Sequence, residues 1–520
     1  MATRQKLFTQ LEQSPRFDVA IIGGGATGLG IALDAAARGF KVALFESHDF
    51  AKGTSSRATK LVHGGVRYLA QGNISLVREA LHERTTLLAN APHLAQPLAF
   101  VMPSYAWWQA PFYGIGLKMY DVLAGKAGLG RTEFLSRNET LKLLPNAREN
   151  GLTGGVKYWD GQFDDARLAL ALAQTAASRG ALLMNYCAAT GLIYENGKVT
   201  GLKVQDKETG QNYEVQAGCV INAAGVWVDE FRQMDGEQTK RPVKAMVAPS
   251  QGTHLVVDRE FMPSDHAILI PKTADGRVLF IVPWLGKLIL GTTDSPRDDL
   301  AREPAAFKDD TGFILGEAAK YLTRAPQRSD VKSIWVGLRP LVKPPDEEGG
   351  NTKKLSREHT ILVSKSGLVT VTGGKWTTYR AMAEDVLDQA FEAKLLPTRP
   401  GAVTVKLPLI GSQSPSQRVC DAPGLHQYGS LQNQVLAMPG ADIELCPGLT
   451  EAMVRYAARH EYARTVEDML ARRSRLLFLD AKLAASISPQ VANIMQEETG
   501  RDPDLAAFIA LAEQYSTLPE

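Results

Sequence analysis

Two glycine clusters and a short set of basic residues carry the residue types on which chemistry depends. The first cluster runs Gly23-Gly24-Gly25-Ala26-Thr27-Gly28. Between a strand and a helix, Gly23 permits the tight turn, Gly25 lets backbone approach a pyrophosphate, and Gly28 lets the helix pack close to the sheet. The helix start at Ala26 and Thr27 presents N–H groups and a positive dipole end to phosphate. Glu46 falls 18 residues after Gly28, where a carboxylate accepts from both hydroxyls of a ribose. This is dinucleotide-binding chemistry, and alone it does not separate FAD from NAD. Thr54-Ser55-Ser56 with Lys60-Leu61-Val62-His63-Gly64-Gly65 offers a polar, glycine-rich loop for a flavin. Gly373-Gly374-Lys375 follows an apolar strand and opens another helix, an anion site suited to the electron-rich end of a reduced isoalloxazine. Together with the early position of the fingerprint and the long insertion after it, these favour FAD.

The remaining candidates each admit two readings. His254 follows Gly252-Thr253 at the start of the apolar run LVV, as a base or as a satisfied sheet histidine. His63 is a flavin-side contact or a structural residue. The other histidines lie in loop or polar-helix contexts. Arg339, in VGLRPL, stands after a strand and before a proline, so a rigid turn holds it. Lys375 opens a helix, where a cation is disfavoured without a reason. Its ammonium is placed to stabilise a reduced flavin or a developing alkoxide. Thr377 and Thr378 bond the flavin or pack the helix.

The elements that must position these groups follow from periodicity. FDVAII reads as a buried strand, the stretch through Ile31, Leu33, Ala36 and Ala37 as a helix, and KVALFE as a second strand. Asn73 to Ala91 and Asp165 to Arg179 read as helices, Ala181 to Ala223 and Val243 to Leu290 as strand-rich. Leu368 to Thr372 reads as a strand, and Lys375 to Leu395 as a helix. Pro103 and Pro111 break an aromatic stretch from Pro97 to Arg131. Pro397 to Pro447 reads as a linker, and Thr450 to Glu520 as helical throughout. The expected fold is α/β with an inserted α+β domain. The boundaries are an N-terminal helical extension over 1–16, a discontinuous FAD-binding domain over 17–95, 151–235 and 335–395, and a substrate-binding cap over 96–150 and 236–334. A linker over 396–448 leads to a C-terminal helical domain over 449–520.

Composition bounds the partners. The 58 Lys+Arg against 56 Asp+Glu give a net charge of +2, which argues against a dedicated nucleic-acid binder. Four cysteines without a CxxC pair give neither a disulfide framework nor a metal-site spacing; reduced thiols in a cytosolic compartment are expected. No apolar run reaches the roughly 18 residues of a spanning helix, and the first residues lack the apolar core of a secretory signal.

At these motifs the chain resembles the FAD-dependent glycerol-3-phosphate dehydrogenases. IIGGGATGLGIALDAAARG and GGKWTTYRAMA look like that family's paired signatures, and SSRATKLVHGGVRYL, WDGQFDDAR, SQGTHLVV, LGTTD and VGLRPL fall in its order. Leu29 departs from the small residue usual after the third glycine. The resemblance implies a glutathione-reductase-like FAD-binding Rossmann domain, a substrate domain like that of D-amino-acid oxidase, and a C-terminal all-helical domain. It implies non-covalent FAD and oxidation of sn-glycerol 3-phosphate to dihydroxyacetone phosphate. By resemblance, Gly23, Gly25, Ala26, Thr27, Gly28, Glu46, Thr54, Ser55, Lys60, Leu61, His63, Gly64, Gly65, Ala224, Gly225, Gly374, Lys375 and Thr377 hold the cofactor. Arg67, Tyr68, Arg339 and Arg357 hold the substrate, and His254, Lys375 and Arg339 carry the chemistry.

The resemblance also implies electron delivery to ubiquinone or menaquinone on the cytoplasmic face of the inner membrane. A homodimer is a further candidate. The rivals are an oxidase that reduces O2 and a non-catalytic flavin sensor. Membrane contact has two sequence candidates. Trp107-Trp108 through Met119 suits an interfacial position or a domain contact. The six arginines 455, 459, 464, 472, 473 and 475 read as a solvated helix face or as a patch for anionic lipid or a partner.

Overall fold

The computed structural model describes residues 4–14, 16–65, 73–343 and 359–520. A parallel sheet sits at the centre. The Phe17–Ile22 strand lies between Val42–Phe45 and Asn212–Asn222, with Leu182–Met184 and Val369–Gly373 outside them and His359–Val363 closing one edge. Its strands are continuous apolar runs because helices cover both faces, as parallel sheets require. Val19, Ala20, Ile21, Val42 and Leu44 are wholly buried. The helix Ala26–Ala37 packs between Asp165–Ser178 and Tyr379–Glu392. The βαβ unit, the N-terminal helix (Arg4–Glu12) and the Asn73-capped helix (Ile74–Asn90) lie where periodicity places them.

A second, ten-stranded sheet carries the cap. The strands Gly154–Phe163 and Ser333–Val342, inside segments read as FAD domain, belong to it: the first pairs with Ala95–Ser104, the second with Val247–Asp258. The two-residue strand Leu61–Val62 forms one edge. The flavin loop therefore runs straight into the cap sheet.

The segment 396–448 is not a free linker, for Val419, Cys420, Tyr428 and Val435 are buried within it. The C-terminal helices share one core with the cap sheet. Phe478 meets Trp335 edge to face at 5.1 Å, and Trp284, Val282 and Leu477 join them. The arginine run departs from the reading as one solvated face at three of its six positions. Arg472, Arg473 and Arg475 are buried and paired inside the protein, and Arg455, Arg459 and Arg464 pair with Glu451, Glu497, Glu498 and Glu208.

The aromatic stretch forms the helix Gln109–Ala124, which continues through Pro111 because the first turn needs no N–H there. Trp107, Trp108, Phe112, Ile115, Met119 and Val122 are exposed. Among the described residues no helix is long and apolar enough to cross a membrane, no His/Cys/Asp/Glu group suits a metal, and all four cysteines are buried and free.

Candidate functional site

The fingerprint turn opens one side of a solvent-connected cleft. Gly23 has φ +103° and a Cβ there would meet the Ala223 carbonyl at 2.6 Å. A Cβ on Gly28 would lie 1.9 Å from the Gly23 carbonyl oxygen. Gly25 caps the helix without a side chain, so the helix end stays open to an anion. Ala26 N–H donates to Ser55 Oγ at 2.9 Å, which brings the flavin loop against the same helix end.

Glu46, at the tip of the second strand, is fixed by three donors. Gly24 N–H reaches Oε2 at 2.7 Å; His48 N–H and Ser47 Oγ reach Oε1 at 2.9 and 3.1 Å. A carboxylate has about four acceptor sites. Ser47 has a second partner in His48 Nδ1 at 2.9 Å, so its hydroxyl can turn away and leave room for two ribose hydroxyls. Burial, then Lys52 and Arg302, pull His48 down to about 4, so its imidazole is neutral.

Gly23, Gly25, Ala26, Thr27, Glu46, Thr54, Ser55, Ala224, Gly225, Gly374 and Lys375 all line this cleft. Their cradle of glycines, an open helix end and a ribose-facing acid fits FAD. The helix expected to open at Lys375 starts later. A 3₁₀ turn over Trp376–Thr378 intervenes, and the α-helix begins at Tyr379. Trp227, Arg302, His48, Lys52 and Trp376 also line the cleft and escaped the sequence reading. Arg302 lies 3.6 Å over the Trp227 ring in an irregular stretch without a motif. Trp376 adjoined a recognised motif, and its indole N–H is a donor that such a loop needs.

The loop 52–60 is where the elements converge. Thr54 Oγ1 donates to the Leu338 carbonyl at 2.6 Å, and Trp376 Nε1 donates to the Ser55 carbonyl at 2.8 Å. Arg57 donates to the Arg302 carbonyl and pairs with Glu303. Ala58 N–H donates to Asp165 at 3.0 Å. Lys60 points its ammonium into the core, away from the cleft. It donates to the Ser56 carbonyl at 2.8 Å and to Asp165 at 2.7 Å, among Trp284, Trp335 and Phe478. Burial outweighs Asp165 and pulls Lys60 down to about 7.

Beyond Lys60, Leu61 is buried in the cap sheet opposite Gln162. His63 N–H donates to Thr377 Oγ1 at 3.3 Å. Gly64 N–H donates to the Tyr120 hydroxyl at 2.8 Å, which donates to Asp160, itself paired with Arg84. A Cβ on Gly64 would reach that hydroxyl at 2.4 Å, so the close approach requires glycine. Gly65 has φ +77°.

His254 sits on the cap strand Val247–Asp258, buried and stacked on Trp335 at 5.1 Å. Its Nε2 lies 2.9 Å from Thr59 Oγ1. Burial, then Lys60 and Arg339, push its pKa well below the usual histidine value, so the ring is neutral. Arg339 is part-buried and lies over Gly252. It pairs with Asp294 at 3.1 Å and donates to Thr292 Oγ1 at 3.1 Å and to the Thr293 carbonyl at 2.9 Å. Neither residue lines the FAD-type cleft. Arg67, Tyr68 and Arg357 lie outside the described residues.

The architecture matches known proteins. Residues 18–380 match the FAD dependent oxidoreductase family and residues 402–505 the C-terminal domain of alpha-glycerophosphate oxidase. The mitochondrial glycerol-3-phosphate dehydrogenase of Mus musculus is 41% identical over 95% of this chain and 72% of its own length. The Bacillus halodurans glycerol-3-phosphate dehydrogenase, solved with FAD, superposes with a TM-score of 0.79 at 30% identity, over 99% of this chain and 98% of that one. The L-alpha-glycerophosphate oxidase of Mycoplasma pneumoniae, 19% identical, shares the fold over 76% of this chain and 98% of its own, with a TM-score of 0.57.

Proposed function

We infer the reaction from one premise: the chain belongs to the FAD-dependent glycerol-3-phosphate dehydrogenase family. It oxidises sn-glycerol 3-phosphate to dihydroxyacetone phosphate and delivers the electrons to a membrane quinone, ubiquinone or menaquinone. The observation that carries this reading is the convergence of both glycine clusters and Glu46 on one cleft, in a chain whose relatives are named glycerol-3-phosphate dehydrogenases. FAD, held by the fingerprint turn, Thr54-Ser55 and Glu46, would supply the two-electron redox chemistry that the alcohol oxidation needs.

The chain's own residues bind, orient and move protons. The fingerprint helix end and Thr54-Ser55 receive the pyrophosphate, and Glu46 the ribose. Oxidation of a secondary alcohol requires a base for the hydroxyl proton. His254 takes that role: its ring is neutral, and Thr59 links its Nε2 to the flavin loop. Arg339 binds the substrate phosphate with Arg357, and Arg67 and Tyr68 are the further substrate-binding residues that the family resemblance supports. A guanidinium suits a phosphate because its fork donates two parallel bonds. Asp294 holds that fork in place and shares it when the dianion arrives. Lys375, at the cleft wall, stabilises the developing alkoxide.

The membrane surface is the exposed face of the Gln109–Ala124 helix. Trp108, Phe112, Ile115, Met119 and Val122 recur at helical spacing on that face, beside Lys118. Apolar and aromatic residues with a lysine beside them suit the interface of the inner membrane's cytoplasmic face. The rival reading is an oxidase that passes the electrons to O2. The test is anaerobic addition of glycerol 3-phosphate to the purified flavoprotein, followed by quinone or O2. Flavin bleaching and faster reoxidation by quinone are expected. Absence of bleaching overturns the substrate, and faster reoxidation by O2 overturns the acceptor.

A further inference from the structure

We propose that the C-terminal helical domain is a cofactor-retaining clamp, in which Arg475, Arg472 and Arg473 position the two loops that hold FAD. The first grip is on the flavin loop. Arg475 Nη2 donates to the Ser56 carbonyl at 2.8 Å and to Asp165 Oδ1 at 3.1 Å. The same carbonyl accepts from Lys60, and the same carboxylate from Lys60 and Ala58 N–H. The neighbouring Ser55 touches the fingerprint helix through Ala26 N–H. The arginine's acceptor is therefore the chain neighbour of the group at the phosphate-binding end.

The second grip is on the ribose side. Asp49 stands three residues beyond Glu46. Arg473 Nη2 donates to Asp49 Oδ1 at 3.0 Å and Arg472 Nε to Oδ2 at 2.5 Å. Burial would raise Asp49, but Arg473 and Arg472 outweigh it and hold the carboxyl below its usual range. The turn that carries Asp49 is hooked to the fingerprint, because Ala51 N–H donates to the Gly24 carbonyl at 2.9 Å.

Stability alone does not explain this arrangement. A buried ion pair commonly gains nothing over apolar residues of the same volume, whereas a guanidinium fork fixes geometry. Three buried arginines, on a stretch of four residues, hold Ser56 and Asp49, the chain neighbours of the cleft-lining Ser55 and His48. Their acceptors include a loop carbonyl, an acid three residues beyond Glu46 and a helix-start carboxylate, besides Glu467, Asp468 and the Glu461 and Ala471 carbonyls of their own domain. Arg475 is thus a positioning residue that acts through Ser56 and Asp165 and touches no substrate. The inference rests on the FAD site, and it stands or falls independently of the alcohol oxidised.

The test measures FAD, not turnover. In the full chain, Arg475→Met should raise the dissociation constant of FAD at least tenfold and shift the visible band of bound flavin. It should also shrink the difference between holo and apo melting temperatures, a quantity in which a purely structural loss cancels. Arg475→Lys should restore most of the affinity. Unchanged affinity and spectrum in a folded Arg475→Met protein would overturn the clamp. A second measurement needs no variant, because coupling between two sites is reciprocal. In the wild-type chain, FAD should slow hydrogen exchange across residues 468–479. Equal exchange there with and without FAD would overturn the proposal even if Arg475→Met fails to fold.

Discussion

Thr59 Oγ1 lies 2.9 Å from Nε2 of His254, so the flavin loop and the cap sheet meet through one hydroxyl and one imidazole. A general base contributes roughly 10²–10⁴ in rate. His254→Ala should keep FAD bound and lower kcat by at least about a hundredfold. A kcat within a few-fold of wild type would refute the assignment. Thr59→Val should lower kcat less, because it leaves the imidazole in place.

Arg339 is already held by Asp294, so its charge is fixed before substrate arrives. A hydrogen bond to a charged group contributes about 1.5–3 kcal/mol. Arg339→Ala should therefore raise KM for glycerol 3-phosphate by about ten- to a hundredfold. KM for glycerol, which has no phosphate, should change far less. Equal changes for both would remove the phosphate contact.

His254 also makes a pH prediction. Its folded pKa lies well below 6.5, with Lys60 and Arg339 facing it, so the unfolded chain binds the proton more readily. Its stabilising contribution is present above the unfolded pKa and is lost as pH falls through the folded value. Denaturant titrations should show wild type losing more stability than His254→Gln as pH drops below about 6.5. Parallel curves would show that the imidazole is not held neutral.

Gly28→Ala should cost the cofactor site its shape. The added Cβ would lie 1.9 Å from the Gly23 carbonyl, a backbone atom that cannot swing aside. Overpacking of this kind costs about 1–3 kcal/mol or more. The protein should be isolated with little FAD, measured as the ratio of visible to ultraviolet absorbance. Full occupancy would show that the helix moves freely off the turn.

Phe112→Glu with Ile115→Glu should release the protein from vesicles of anionic phospholipid while leaving anaerobic bleaching within about twofold. Charges placed on an interfacial face oppose burial in the acyl region. Vesicle binding equal to wild type would move the membrane surface elsewhere.

The dinucleotide half of the site was legible because its grammar is local. Gly23, Gly25, Gly28 and Glu46 act within one βαβ unit, and spacing alone specifies their roles. The arginine run was not legible. Arg472 and Arg473 meet Asp49 from more than 420 positions away, and nothing near position 472 announces a buried acid. A charged run with ordinary helical neighbours reads as solvated until its partners are seen. The segment 396–448 misled for a related reason. It lacks periodicity because it packs through single side chains such as Val419 and Tyr428, not through a regular face. Lys375 fell between the cases: its cleft position followed from the motif, but the 3₁₀ turn after it did not.

The grip of Arg475 on Ser56 spans 419 positions of chain. A ribosome adds about 5–20 residues per second, so Ser56 waits roughly 20–80 s for its partner. During that interval the glycine turn and Glu46 are already made, and the loop's contacts to Asp165, Leu338 and Trp376 arrive before the one to Arg475. On the proposed clamp, a chain stalled before residue 475 would carry the FAD cradle without its last loop contact.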